Sequence, residues 1–353
     1  MSQINTNAIL DASGGTTTSI NGYTPTASNM AGRNRIINGC MRIWQRGTSF
    51  SNVSTTNNYY TADRWGANRS SNASGLTVSQ STDVPAGFKY SAKFQREASN
   101  TATNALSIFN SNESINTLDF ANQSVTFSFY AKVGANWSAS NDINVVIRSG
   151  TGTDQRAYQF TGLVSQPSTV TITNSWVKYS ITKTVPANAT EVGVMIQSGA
   201  YSGTAGADAS LYITGVQLEA GSVATPFEHR MYGQELALCQ RYCLAFDNRP
   251  TPTNNYYVFG VVRHTSATSA IVIQSFPVRM RTKPTSATFS ATVPNTWFVD
   301  PGVTNFTTVA IDQNSDLGGC FNLTGGSGLT TGQSGRALSN ANAPAYVIWE
   351  VEL

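Results

Sequence analysis

The sequence predicts an all-β protein: an extended N-terminal arm over 1–33, a jelly-roll-like antiparallel sandwich over 34–228, a short linking helix over 229–248 and a smaller C-terminal β-sandwich over 249–353. Three observations predict it. Charged residues are only 12% of the 353, about half the usual share, and Ser, Thr, Asn and Gly supply the missing polarity, as suits pleated, half-buried surfaces. Apolar residues alternate with polar ones in run after run through residues 123–218, with no helical period between the runs. At 37.7 kDa the chain is long enough for more than one core.

The arm reads as a poorly packed lead-in, with Ser13-Gly14-Gly15-Thr16-Thr17-Thr18, Asn21-Gly22 and Thr24-Pro25-Thr26 between its apolar residues Ile4, Ile9, Leu10 and Ile20. It has too little apolar surface to fold alone. Such an arm is either disordered or ordered by docking, and the regular recurrence of its apolar residues favours docking. From Arg33 the texture changes to RNRIINGCMRIWQRG, in which Arg33, Arg35, Arg42 and Arg46 occur with no acid among them. Two readings stand: an interface to an acidic neighbouring protein, or partners for Asp63 and other acids of the same domain.

The sandwich strands follow. In Gln123 to Tyr130, Val125, Phe127 and Phe129 fall on one face and Thr126, Ser128 and Tyr130 on the other. Ile143, Val145 and Ile147 repeat the pattern, as do Val177, Tyr179, Ile181 and Val185, and then Val192, Val194 and Ile196, with Pro186 to Ala189 as a turn. Strands at this spacing without intervening helices predict an antiparallel sandwich. Along Leu211 to Leu218 the apolar parity changes from odd to even at Gly215, which places a β-bulge there. Trp65, after Asp63-Arg64, reads as core.

Between Met231 and Phe246, the residues Tyr232, Leu236, Cys239, Cys243 and Phe246 are spaced four, three, four and three, the stripe of a helix that packs on a sheet or around a symmetry axis. The two cysteines there read as small buried hydrophobes. Beyond Pro250, strands are expected at 256–263, 269–276 and 345–353, enough for a small sandwich.

Several chemistries are disfavoured. A net charge of +3 with pI 8.6, from scattered basic residues, is no phosphate-neutralising stripe, so no nucleic-acid partner is expected. No apolar run reaches membrane-spanning length, and Met1 to Leu10 lacks the pattern of a signal peptide. Cys40, Cys239, Cys243 and Cys320 are too few for a disulfide scaffold and suit a reducing cytoplasm. With only His229 and His264 as imidazoles, no metal site, cofactor or His-based catalytic triad is expected. The Asp312 to Gly318 loop resembles a calcium loop but has Leu317 at the required Gly position and Leu323 at the final Glu, so it reads as a polar turn. The Gly325 to Gly332 loop lacks the pattern of a phosphate cradle. Acids through the sandwich are scattered singly, and no pair is spaced as a glycosidase requires.

Four segments carry a resemblance: the arm INTNAILDASGGTTTSINGYTPT, the junction RNRIINGCMRIWQRG, the tract YYTADRW, and GVQLEAGSVATPFEHRMYGQELALCQRYC at 215–243, the most specific of them. In these the chain resembles tail fibre or receptor-binding virion proteins of tailed bacteriophages. Its strand region, with NSWVKYSITKTVP before EVGVMIQ, is similar to jelly-roll carbohydrate-binding modules. The resemblance implies a non-enzymatic structural protein of the virion, assembled in the host cytoplasm and homotrimeric. Its arm would dock on other virion proteins through Ile4, Ile9, Leu10, Ile20, Arg33 and Arg35, and its β domains would face host surface polysaccharide. A head fibre or capsid decoration protein is the alternative, and a glycan-cleaving tailspike the third reading.

A glycan site needs an aromatic platform for a sugar's CH face and polar groups for its hydroxyls. Tyr130 and Trp176 lie on polar strand faces and Trp137 lies in a Gly/Asn/Ser loop, so these three, with Arg148 as a hydrogen-bonding partner, are the candidate glycan-binding residues. The competing reading makes Trp176 a cover for the core edge and Trp137 a loop filler.

Overall fold

The computed structural model describes residues 32–51, 59–70, 74–247, 257–290, 297–300, 306–339 and 346–353. Ile4, Ile9, Leu10 and Ile20 lie outside them. The chain divides into two compact units, Met1–Arg230 with Leu353, and Met231–Glu352.

The described strands of the first unit are, in chain order, β1 (Ser49–Phe50), β2 (Tyr59–Tyr60), β3 (Gly66–Arg69), β4 (Leu76–Ser81), β5 (Ser91–Arg96), β6 (Leu106–Ser111), β7 (Ser124–Val133), β8 (Asp142–Gly150), β9 (Val164–Thr171), β10 (Val177–Thr184), β11 (Glu191–Gln197) and β12 (Ala209–Ala220). They form two six-stranded sheets, β1-β4-β5-β12-β7-β10 and β2-β3-β6-β11-β8-β9. Neighbours in both sheets are antiparallel, and the chain crosses repeatedly from one sheet to the other. Alternation makes the core: Val78, Phe94, Phe127, Phe129 and Ile213 of the first sheet join Ile108, Ile143, Val145, Val194 and Ile196 of the second in one buried cluster with Trp65.

The outer faces are not simply wet. On the second sheet Phe109, Val146 and Met195 form a small buried cluster of their own. On the first sheet, residues 221–228 cross β12, β7 and β10: the Thr126 hydroxyl donates to Gly221 O at 2.8 Å, and Lys178 Nζ to Thr225 O at 2.6 Å. Thr126 and Ser128, expected on a solvent face, are therefore buried at about 1% exposure. The register is as the alternation predicts, but a strap of the same chain covers that face. The bulge occurs where the parity changes: β12 slips against β7 between Thr214 and Gln217, and Gly215 has φ of +59°.

The second unit holds α1 (Tyr232–Gln240), then β13 (Cys243–Asp247), β14 (Val258–Ser266), β15 (Ser269–Ser275), β16 (Ser286–Phe289), β17 (Trp297–Asp300), β18 (Thr308–Asn314), β19 (Gly318–Thr324), β20 (Ser334–Ser339) and β21 (Tyr346–Glu350). Sheets β13-β21-β16 and β17-β20-β14-β15-β19-β18 enclose Leu244, Phe259, Val262, Phe321 and Trp349, with the Trp349 indole N–H donating to Gln274 Oε1 at 2.7 Å. The expected stripe from Tyr232 to Phe246 is corrected here. The helix stops at Gln240, and Cys243 to Asp247 pair residue by residue with Glu350 to Tyr346. On a strand, a separation of three puts Cys243 and Phe246 on opposite faces, while Tyr232 on the helix is 56% exposed. No continuous stripe exists, because a strand partner a hundred residues away outweighs the local helical spacing.

Candidate functional site

The open part of the first sheet's outer face lies beside the strap, at one row of the strand ladder. There Lys93 of β5 pairs with Tyr212 of β12, and Tyr212 with Lys132 of β7. Trp176, one residue before β10, reaches the same row: its ring stands edge-on to Tyr212, with centroids 6.3 Å apart. The Lys132 ammonium lies between the two rings, 4.9 Å from the Tyr212 centroid and 5.8 Å from that of Trp176. Lys93 covers Tyr212 from the other side at 5.4 Å.

Two carboxylates fix these groups. Asp83, on the β4–β5 loop, accepts the Trp176 indole N–H at 2.9 Å and pairs with Lys132. Asp208 pairs with Lys93 at 3.3 Å and accepts the Tyr212 hydroxyl at 3.1 Å, and its other oxygen takes the Ala135 N–H at 3.2 Å. Burial alone would raise the Asp83 carboxyl; the hydrogen bonds from Lys132 and Trp176 and the Lys132 charge outweigh it and hold the group below its ordinary value. Burial would raise Asp208 too, but the Ser210 hydroxyl, the Ala135 N–H and Lys93 together outweigh it and leave the group lowered. Burial works against the Lys93 ammonium, but Tyr212 and Asp208 leave it raised. Burial raises the Tyr212 phenol.

This strip is a balanced set of donors and acceptors. Each ammonium keeps N–H groups beyond the one its carboxylate accepts, and each carboxylate keeps lone pairs. Trp176 is half-buried and Tyr212 is buried beneath the lysines. Both carboxyls are pushed towards ionisation, the sense opposite to that of a general acid. Glu191, which burial raises, is fully enclosed.

The four glycan candidates come apart. Tyr130 shares the outer face of Trp176 but lies beneath Phe88, centroids 5.4 Å apart, in an aromatic group that Phe227 and His229 complete. Trp137 packs edge-on against buried Tyr201 at 5.3 Å and borders the sandwich core, its indole N–H donating to Ser140 O at 3.2 Å. Arg148 is on β8 of the other sheet, stacked 5.9 Å from Tyr158 and donating to Ala157 O at 3.1 Å. These four side chains do not line one face.

Asp83, Lys93, Lys132, Asp208 and Tyr212 were not among the expected site residues. Their one sequence signal is that Lys93, Lys132 and Lys178, in a chain poor in lysine, all sit at the polar parity of their strands.

Of the docking candidates within the described residues, Arg33 is half-buried. Arg35 pairs with Asp119 at 2.6 Å and lies 5.3 Å over the Phe120 ring. Arg46 lies 3.7 Å from buried Asp63. At these two positions the local acids are the partners. Among the described residues no cluster of three or more His, Cys, Asp or Glu is arranged to hold a metal. No helix of the described residues is long and apolar enough to cross a membrane.

No family model matches the chain, and no curated protein matches it. Among solved structures, the enzymatically active domain of bacteriophage CBA120 tailspike protein 4 aligns over 53% of this chain and 21% of its own, at 16% identity and a TM-score of 0.35. The chain thus spans about a fifth of that tailspike structure. A CBM22-1 xylan-binding domain from Paenibacillus barcinonensis aligns over 50% of this chain and 94% of its own, at 18% identity and TM-score 0.28. TmCBM61, solved with β-1,4-galactotriose, aligns over 54% and 99%, at 9% identity and TM-score 0.31.

Proposed function

We propose that the chain is a non-enzymatic appendage protein of a tailed-phage virion, tail fibre in type, that docks on the particle through residues 1–33 and binds host surface glycan on the outer face of its first sandwich. The observation that carries the binding reading is the strip Trp176–Asp83–Lys132–Tyr212–Asp208–Lys93, an indole flanked by held donors and acceptors. Sugars present both an apolar CH face and hydroxyls that donate and accept, and this strip offers a partner to each. Because every cation in it is matched by a carboxylate, the ligand is an uncharged glycan, and its binding changes little with salt. The virion role is supported by the resemblance in residues 1–65 and 211–245, and trimerisation rests on that resemblance alone.

The test is affinity electrophoresis through gels containing purified host polysaccharide. Trp176→Ala should weaken retardation by about 2 kcal/mol or more, as loss of a central aromatic anchor does, with the melting temperature close to wild type. Unchanged retardation would remove the strip from the binding role, and release of reducing ends from the polysaccharide would move the protein to the enzymes.

A further inference from the structure

The first described residues of the sandwich unit are bonded directly to its last ones. Glu228 accepts the Asn34 N–H at 2.6 Å with one carboxylate oxygen and the Gly32 N–H at 3.2 Å with the other. Arg230 returns the contact, donating to Ile36 O at 2.9 Å and to Asn34 O. Beneath them, Asn34 Nδ2 donates to Val216 O at 3.0 Å, its Oδ1 accepts the Leu218 N–H at 3.2 Å, and Arg35 N donates to Leu218 O at 2.9 Å. The Glu228 N–H is held by Gln217 Oε1 at 2.9 Å.

These bonds join residues 194 to 196 positions apart, so nearly the whole sandwich lies in the loop they close. The described part of this unit begins at Gly32 and the unit runs to Arg230, each within four residues of the cross-links. A pull applied between Gly32 and Arg230 therefore meets these bonds first. They are charge-assisted at both ends, the stronger kind of hydrogen bond, and several share the load.

We infer that the Asn34–Glu228–Arg230 cluster is a mechanical clamp that carries tension from the N-terminal arm to the second unit and shields the glycan-binding sandwich from it. The need for such a load path rests on the appendage reading, but the mechanics do not. It also gives the segments of the resemblance a common physical task. RNRIINGCMRIWQRG and GVQLEAGSVATPFEHR meet as one contact set, with Gly39 O accepting the Val216 N–H at 2.9 Å and the Trp65 indole of YYTADRW donating to Asn38 O at 3.1 Å.

The test is single-molecule stretching of the full chain in two geometries. In the first, handles are at the two termini; in the second, they are attached through azide-bearing residues at the exposed positions Thr82 and Ser165, far round the loop from the clamp. Opening of the sandwich is identified by a release of roughly 650 Å of chain when pulled from the termini and roughly 280 Å when pulled between Thr82 and Ser165, at about 3.4 Å per residue. At constant load from the termini, Glu228→Gln with Arg230→Met should make that opening at least about tenfold faster, the factor that losing one charge-assisted hydrogen bond supplies. Pulled from Thr82 and Ser165, the variant should be accelerated far less, since there the cluster is not in the line of load. If the rates change equally in both geometries, the pair is a general stabiliser; if the terminal rate does not change, the cluster bears no load. Either result overturns the clamp. Glu228→Gln alone, which keeps the side-chain size, carries the same comparison should the double variant not fold. Polysaccharide binding of the unstretched variant stays at wild type if the clamp is purely mechanical, so this test and that of the glycan site fail independently.

Discussion

At the scale of single residues, the ion pairs of the binding strip do two things: they position Trp176 and they set a pH range. The Asp83 carboxyl is lowered because Lys132 and Trp176 together outweigh its burial. A lowered carboxyl favours the folded state once ionised, so its contribution is complete above the ordinary carboxylate value near about 3.9 and is lost as pH falls through the lowered one. Asp208 behaves in the same sense. Glycan binding should accordingly stay constant between about pH 5 and 8 and collapse only in acid. Asp83→Asn removes the charge while keeping the shape. In a series of thermal melts it should be less stable than wild type at neutral pH and converge with it at a pH below the ordinary carboxylate value of about 3.9, low enough that both carry a neutral side chain. A constant gap between the two curves down to that pH would mean that Asp83 acts through packing alone.

At the scale of elements, β12 decides the shape of the site. Its bulge lets Leu211 and Ile213 face the core before Gly215 and Val216 and Leu218 face it after, and the dimple left at Gly215 receives the Phe88 ring. A Cβ there would lie 2.6 Å from Phe88 Cζ and 2.8 Å from Tyr130 Cδ2, on a backbone with φ of +59°. Gly215→Ala should cost about 2 kcal/mol or more in urea unfolding, from left-handed strain and overpacking together; a loss of under about 0.5 kcal/mol, the level of an ordinary surface change, would mean that Phe88 moves aside freely. This bulge was legible in the sequence because a parity change is a local signal. So were the inward Val125, Phe127 and Phe129 and the buried Trp65. Cys243 to Asp247 was not, because its choice between helix and strand depends on Tyr346 to Glu350. The separation of Arg148 from Trp176 was equally hidden: alternation assigns a residue to a face of its strand, not its strand to one of two sheets. The strip itself was half legible, its lysines by parity and its aspartates not at all, since Asp83 and Asp208 come from outside the strands.

At the scale of the whole molecule, the clamp divides the roles of the N-terminal residues. Asn34 belongs to the sandwich, for it is buried and its side chain bonds to both Val216 and Leu218 of β12. The clamp contacts begin at Gly32, and cutting on either side of them separates two roles. Removing residues 1–31 leaves Gly32 and Asn34 in place to bond Glu228, so the melting temperature should stay near wild type, while incorporation into virions should be lost if residues 1–31 dock. Removing residues 1–36 also takes Asn34 and Ile36, leaves the Glu228 carboxylate and Arg230 without these partners, and exposes the edge of β12. It should lower stability by about 2 to 4 kcal/mol, the cost of several broken hydrogen bonds around partly buried charges. Co-sedimentation of each truncated chain with particles, beside thermal melts of the purified chains, reads both effects. Normal incorporation of the shorter truncation would end the docking role of the arm, and equal melting temperatures for the two truncations would show that the clamp adds nothing to the unstretched fold.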